Sequence, residues 1–364
     1  MSLSRRTVAV LFGGRSSEHE VSCTTAGGVL GAIDRERWDV VAVGIGRDGS
    51  WTLQSDDPSQ WAQTEDGMPH VVPSSNRVLL PATADTSMWL QESAGTVTDL
   101  AHVDVAFPLL HGPWGEDGTI QGAMELLDVR YVGSGVLASA IGMDKQFMKA
   151  AFRARGLPVA DDVVLAPGDA PEACREQIEA LGLPVFVKPA RAGSSMGISR
   201  VDSWDELDAA VAHAVKHDPK VLIERGMGGR EIETAVLGAR DGVRTSMPGE
   251  IVTGGDHAFY DFDAKYFDAA HVQLDCPAGL PADDAESIRA LAARAYASVA
   301  AEGIARVDVF YAPDGTVTVN EINTMPGFTP TSMYPRMWAA AGVTYPELVE
   351  ELMQAALSRS TGLR

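Results

Sequence analysis

The chain has 364 residues, 45% of them hydrophobic and 22% charged, which is enough for two or three domains with sizeable cores. A formal net charge of −21 argues against a nucleic-acid backbone as partner, and an anionic ligand would need a local basic pocket against that field. Cys23, Cys174 and Cys276 are far apart and lack C-x-x-C spacing, so a disulfide framework or zinc site is not expected, and a reducing, cytoplasmic setting is.

Arg5-Arg6 ahead of an apolar run superficially suggests a twin-arginine signal. The run is too short, and Gly13-Gly14 ends it, so residues 7–12 read as a first buried strand. No apolar run is long enough to span a membrane, and none is expected to. Glu18-His19-Glu20 then opens an Ala/Gly-rich helix. Strand, glycine turn and helix make an α/β beginning, without the G-x-G-x-x-G of a dinucleotide site. Glu18 and Glu20 stand where a helix dipole favours acids, so capping is the physical expectation for both. His19 is expected to be structural. Residues 38–45 read as the next strand. Residues 48–98 are polar and proline-dotted, expected as loops and short strands at a domain edge, and give no functional reading.

Residues 103–110 form a strand ending in His111-Gly-Pro-Trp-Gly-Glu116-Asp-Gly118, before a helix at 120–127. Loops at the C-terminal ends of strands in open α/β sheets are where ligands sit. An ordinary helix entry is an equal reading. A second α/β unit begins near Val132. Met143-Asp144-Lys145 opens a helix to about residue 155. A lysine at a helix start opposes the dipole, so Lys145 either reaches a bound phosphate or is merely solvated. Residues 183–189 make a strand carrying Lys188. The Gly/Ser tip 190–197 and a strand at 198–201 complete a hairpin whose bared N–H groups suit phosphate oxygens. It lacks the G-K-[ST] of a Walker loop. Glu224 and Glu231 lie on strands joined by a glycine linker. Residues 259–267 are an aromatic-acid loop with one lysine, Lys265. Residues 283–302 are an amphipathic helix, and Thr344-Tyr-Pro-Glu347 is a capping box for a last helix to about 357.

Residues 306–323 hold the densest chemistry. Two strand-like runs flank Asp314-Gly315, a two-residue hairpin signal. With those two residues as the turn, Asp308 faces Glu321 and Arg306 faces Asn323. Cross-strand carboxylates repel and call for a cation, and hard oxygen ligands suit magnesium together with substrate phosphates.

These motifs together resemble the ATP-grasp superfamily, and within it the D-alanine–D-alanine ligases, over nearly the whole chain. The carriers are Phe12-Gly-Gly-Arg-Ser-Ser-Glu-His-Glu-Val-Ser22, His111 to Gly122, Met143-Asp-Lys145, Val187-Lys-Pro-Ala-Arg-Ala-Gly-Ser-Ser-Met-Gly197, Tyr260-Asp-Phe-Asp-Ala-Lys-Tyr266, Arg306-Val-Asp308 and Asn320-Glu-Ile-Asn-Thr-Met-Pro-Gly327. The resemblance implies an α/β, three-domain ATP-grasp architecture: a Rossmann-like preATP-grasp domain over 1–134, a central subdomain over 135–223 and a C-terminal subdomain over 224–364. It implies that Lys145, Lys188 and Ser195 contact ATP phosphates and Lys265 the γ-phosphate, with Glu224 and Glu231 on adenine and ribose. Asp308, Glu321 and Asn323 would hold two Mg²⁺, which Mn²⁺ can replace. Glu18 would fix the ammonium of a first D-alanine in a triad with Ser194 and Tyr266, near His111. Ser332 would take the carboxylate of a second D-alanine. Arg306 and the Gly327 N–H would hold the oxyanion of an acyl transfer, with residues 259–279 as a lid. A homodimer with small-molecule partners only is implied. A sister ligase making D-alanyl-D-lactate or D-alanyl-D-serine, and a non-catalytic ATP- or amino-acid-binding module, are the rival readings.

Overall fold

The computed structural model describes residues 5–65, 67–81, 83–84, 87–193, 195–253 and 272–362. The apolar run at 7–12 lies within β1 (Arg6–Gly13), buried from Val8 onward. It lies parallel between β2 (Trp38–Ile45) and β7 (Val105–Pro108), as a strand buried on both faces does. The segment expected at a domain edge forms β3 (Trp51–Leu53), β4 (Arg77–Leu79), β5 (Met88–Ser93) and β6 (Thr96–His102). These extend the sheet antiparallel, in the order β6-β5-β4-β3-β2-β1-β7. Not all of it stays at the edge. Its turn at Pro58–Trp61 packs beneath α1 (His19–Ala32), and Gln63 and Met68 reach the central cavity.

The glycines of α1 explain that packing. A Cβ on Gly27 would lie 2.9 Å from the Trp61 Cβ and 3.0 Å from its carbonyl oxygen, and one on Gly28 would lie 2.8 Å from Pro330. Helix stability is given up for close approach on both sides. Gly27→Ala is therefore expected to destabilise the protein by about 1–3 kcal/mol of overpacking, less the ~1 kcal/mol that alanine adds to a helix. Urea unfolding of the variant measures it, and a gain in stability would contradict the close packing. His19, fully buried, fastens the same corner. Its Nε2 accepts the Val71 N–H at 3.0 Å, so Nδ1 carries the proton donated to the Gly14 carbonyl at 2.6 Å. The structural role expected of it is met.

After α2 (Thr119–Leu126), α3 (Val136–Met143) and α4 (Lys145–Ala154) lead to a four-stranded antiparallel sheet. Its strands β8 (Asp162–Leu165), β9 (Val185–Pro189), β10 (Ser199–Val201) and β11 (Val221–Arg225) run in the order β10-β9-β11-β8, with α5 (Arg175–Glu179) and α6 (Leu207–Ala214) against it. The boundary expected at 223/224 falls inside β11. Glu224 pairs with Asp162 and Phe186 in that sheet, so the unit extends to Arg225 and the glycine linker beyond it. The third sheet comprises β12 (Arg230–Ala239), β13 (Gly242–Thr245), β14 (Gly249–Thr253), β15 (Val272–Asp275), β16 (Ile304–Tyr311) and β17 (Val317–Asn323). It runs β15-β14-β12-β16-β17, with β13 beside β12.

Helix α7 (Ala282–Ser298) and helix α4 bury Ile288, Ala292, Met148 and Phe152 against the third sheet. Helices α8 (Met333–Ala340) and α9 (Tyr345–Leu357) share one core with β1, α1 and β7. Phe328 joins them, with ring centroids 6.2 Å from Phe107 and 5.3 Å from Tyr345. The loop after β17 is thus clamped between the first and last parts of the chain.

Candidate active site

The hairpin of β16 and β17 carries the centre. Arg306 pairs with Asn323 and Asp308 with Glu321, as expected, but by a different route. The turn is one residue longer than Asp314-Gly315. Ala312 N–H bonds to Thr316 O at 2.9 Å, Gly315 N–H bonds to Ala312 O at 3.0 Å, and Gly315 takes φ +85°. This is a three-residue loop with glycine in the left-handed position. Val309 consequently faces Val319, and a bulge at Asn320 returns the register. The spacing Val317, Val319, Ile322 breaks the period of two at that bulge and was its signal.

One cavity of about 810 Å³, within the roughly 300–1,000 Å³ usual for ligand pockets, gathers the chemistry. In its middle, Arg306 donates from Nε and Nη2 to the two oxygens of Asp308 at 2.7 Å each, and its Nε lies 3.2 Å from Glu233 Oε1. Asn323 Nδ2 donates to Asp308 Oδ2 at 3.0 Å. Burial would lower the Arg306 pKa, but Asp308 and Glu233 raise it well above its ordinary value. Asp308, Glu321 and Asn323 all line the cavity. The two oxygens of a carboxylate offer about four lone-pair sites together, so Asp308 can hold Arg306 and Asn323 and still face a cation. Two carboxylates and an amide oxygen fit a hard divalent ion such as Mg²⁺. Among the described residues no three His, Cys, Asp or Glu form such a group, because the third candidate ligand here is an amide.

At one end of the cavity, Lys145 is the first residue of α4. Asp144 caps that helix through the Gln146 and Phe147 N–H groups, which offsets the misplaced positive charge. Lys145 Nζ donates to Ala192 O in the hairpin tip at 3.0 Å and lies 3.6 Å from Glu321 Oε2. Lys188 Nζ, on β9, lies in the same cavity, as do Ser195 and Glu231.

Glu224 does not line the cavity; it stands behind Lys188. Its Oε2 accepts from Lys188 at 2.5 Å and its Oε1 from Lys149, whose ammonium is 3.0 Å from Asp162. Burial would raise the Glu224 carboxyl, yet Lys188 and Lys149 hold it down at about 2. Lys188 in turn is raised by Glu224 against the effect of its own burial.

At the other end stand Glu18 and His111. Glu18 occupies the N-cap position of α1, but its carboxylate makes no cap bond, so the capping expectation is corrected. The carboxylate points into the cavity instead, tightly enough that a Cβ on Gly112 would sit 2.7 Å, and one on Gly193 3.1 Å, from its Oε2. Glu20 lies within the first turn and accepts from Arg47 at 2.5 and 2.7 Å. His111 is buried, which lowers its pKa against the pull of Glu18. Beyond them, Ser332 forms the N-cap of α8. Its Oγ accepts the Thr329 N–H at 3.1 Å and lies 3.3 Å from where a Gly327 Cβ would be. A helix N-terminus with a hydroxyl at its head suits a carboxylate ligand. Ser194, Lys265 and Tyr266 lie outside the described residues, as does most of the expected lid at 259–279.

Three groups had no assigned role in the sequence reading. Lys149 follows Lys145 by four residues and so shares its helix face, which was the available signal. Glu233 alternates with Glu231 about buried Ile232. Glu116 sat in a quoted motif without a function.

An α/β domain, a smaller antiparallel sheet and a third sheet bearing paired carboxylates, enclosing one lysine-walled cavity, define the ATP-grasp class of carboxylate–amine ligases. The family profile described as D-ala D-ala ligase N-terminus matches residues 7–134, and that of the C-terminus matches residues 151–354. A D-alanine–D-alanine ligase of Arthrobacter sp. is 56% identical, with 98% of this chain and 95% of that one aligned; one of Mycolicibacterium smegmatis is 53% identical, over 99% and 98%. Among solved structures, the D-alanine–D-alanine ligase of Coxiella burnetii superposes with TM-score 0.83 at 32% identity, covering 98% of this chain and 95% of that one. The VanG D-Ala:D-Ser ligase of Enterococcus faecalis gives 0.83 at 32%, covering 97% and 100%. The chain belongs to the D-alanine–D-alanine ligase family. Among the described residues, no helix is long and apolar enough to cross a membrane.

Proposed function

We propose that the protein joins two D-alanine molecules at the expense of ATP, yielding D-alanyl-D-alanine for peptidoglycan precursors in the cytoplasm. The observation that carries this is the cross-strand pair Asp308 and Glu321 beside Lys145 and Arg306, in one cavity of a chain of this family. The γ-phosphoryl group and the first D-alanine carboxylate are both anionic, and their approach needs neutralising charge. Lys145 and Lys188 supply it at the phosphates, where Ser195 adds a hydrogen bond, with Lys265 on the γ-phosphate and Glu231 on the ribose. Glu224 lies behind Lys188, so in place of a contact with adenine its support for ATP binding is its hold on that lysine. Asp308, Glu321 and Asn323 hold two Mg²⁺, for which Mn²⁺ can stand in; bound there, the ions screen the phosphate charge.

Glu18 fixes the first ammonium beside His111, with Ser194 and Tyr266. Transfer of the phosphoryl group to the carboxylate leaves an acyl phosphate. Ser332 and the start of α8 seat the second carboxylate, whose amine attacks the acyl carbon. Arg306 and the Gly327 N–H take up the charge that develops on oxygen. Incubation with ATP, Mg²⁺ and D-alanine is expected to release phosphate and D-Ala-D-Ala in equal amounts, with L-alanine as the inert control. Phosphate release without dipeptide would overturn the reading. D-Serine or D-lactate as the preferred second substrate would select a sister ligase instead. The proposed homodimer draws on the family resemblance and on exposed Leu126 and Leu137, and sedimentation tests it.

A further inference from the structure

The loop that follows β7 reaches across the molecule and grips one residue of the loop that follows β17. The Met325 N–H donates to Glu116 Oε1 at 3.2 Å, and the Met325 carbonyl lies 3.2 Å from His111 Nδ1. Both gripping side chains are themselves anchored. Glu116 Oε2 accepts the Gly112 N–H at 2.7 Å, and the His111 carbonyl accepts from Ser16 Oγ at 2.7 Å. A carbonyl can only accept, so His111 carries its proton on Nδ1, and Nε2 is left to accept from Thr25 Oγ1, 3.4 Å away on α1. Thr25, His111, Met325, Glu116 and Gly112 thus form one chain of bonds from the first helix to the end of the metal-bearing hairpin.

A carboxyl is a costly side chain for merely holding a loop. Burial and the neighbouring Glu18 push Glu116 up to about 8. Met325, His111 and Glu116 all line the cavity, and Gly327 stands two residues past Met325 with only Pro326 between. Proline fixes its own φ and restricts the residue before it, so few free torsions separate the held Met325 backbone from the Gly327 N–H.

We propose that Glu116 is a positioning residue, which with His111 holds Met325 by its N–H and its carbonyl and thereby sets the Gly327 N–H for acyl transfer. The inference rests on the reading of Gly327 as the oxyanion donor. It places the effect of Glu116 on the chemical step and not on ATP binding, because neither Gly112 nor Met325 belongs to the phosphate end.

Two variants of the full chain test it. In Glu116→Gln one oxygen still accepts, but the amide NH₂ faces the other N–H, so one bond is lost. Glu116→Asp keeps a carboxyl but is too short to span both N–H groups. Both are expected to lower kcat for dipeptide formation about tenfold or more, since small misplacements at a reacting centre are costly in rate, with KM for ATP within about twofold. Both are expected to speed hydrogen exchange at the Met325 amide. Unchanged exchange overturns the clamp. Wild-type kcat in Glu116→Asp beside a defective Glu116→Gln overturns it too, by assigning the effect to the carboxyl itself and not to its reach. Faster exchange with undiminished kcat overturns the Gly327 assignment and, with it, the link from clamp to chemistry.

Discussion

Glu321→Gln is expected to lower the rate of ATP-dependent dipeptide formation by on the order of a thousandfold, the scale on which charge-stabilising groups act in acyl and phosphoryl transfer. The variant is expected to stay folded. The substitution is nearly isosteric, and Glu321 faces Asp308 across the hairpin, so removing its charge relieves a repulsion between cross-strand acids. What it gives up structurally includes the 3.6 Å approach to Lys145 and the longer-range attraction of Lys188 and Arg306. Asp308→Asn would be a poorer test, because Asp308 also neutralises Arg306 through two bonds, and stability would change with chemistry. Turnover as a function of Mg²⁺ concentration is the measurement. Near-wild-type turnover, with an unaltered Mg²⁺ requirement, would remove Glu321 from the metal site and leave the charge of the cavity middle to be explained by Arg306 alone.

How much of this site could be read without coordinates depended on sequence distance. The hairpin acids were legible because strand period and a turn signal are local. Even so, the pairing of Asp308 with Glu321 came out right through two departures that cancel: a third residue in the turn and a bulge at Asn320. Lys145 and Lys188 were legible as charges in odd places. The partner of Lys188 was not, since Glu224 lies 36 positions away and meets it only once β11 pairs with β9, and Lys149 reaches the same carboxylate from α4. The same holds for Glu18. A helix start explains an acid by local electrostatics, and only the approach of Gly112 and Gly193 turns that carboxylate toward the cavity. Residues 48–98 carried no motif, yet Trp61 sets the seat of α1, because packing against a glycine face leaves no trace within the packing segment itself.

The buried cluster behind the phosphate end makes the second large prediction, and its sign can be worked out. Glu224 ordinarily titrates near 4.5 and in the folded protein near 2, so the unfolded chain takes up the proton first as the pH falls. Its stabilisation is therefore complete above pH 4.5 and is lost as the pH drops from there toward 2. A shift of that size corresponds to roughly 3 kcal/mol. Glu224→Gln is expected to cost about that much at neutral pH, within the range for breaking a buried ion pair, because Lys188 loses its carboxylate while Lys149 keeps Asp162. The gap between variant and wild type should then hold constant from pH 6 to about 4.5 and narrow below that as urea unfolding is repeated down to pH 3. KM for ATP should rise in parallel, since an untethered Lys188 no longer points its ammonium at the phosphates. A carboxylate that served only the adenine ring would raise KM just as well, but it would leave the two unfolding curves equally spaced at every pH. The narrowing is what a lysine-holding role requires and a purely nucleotide-binding role forbids.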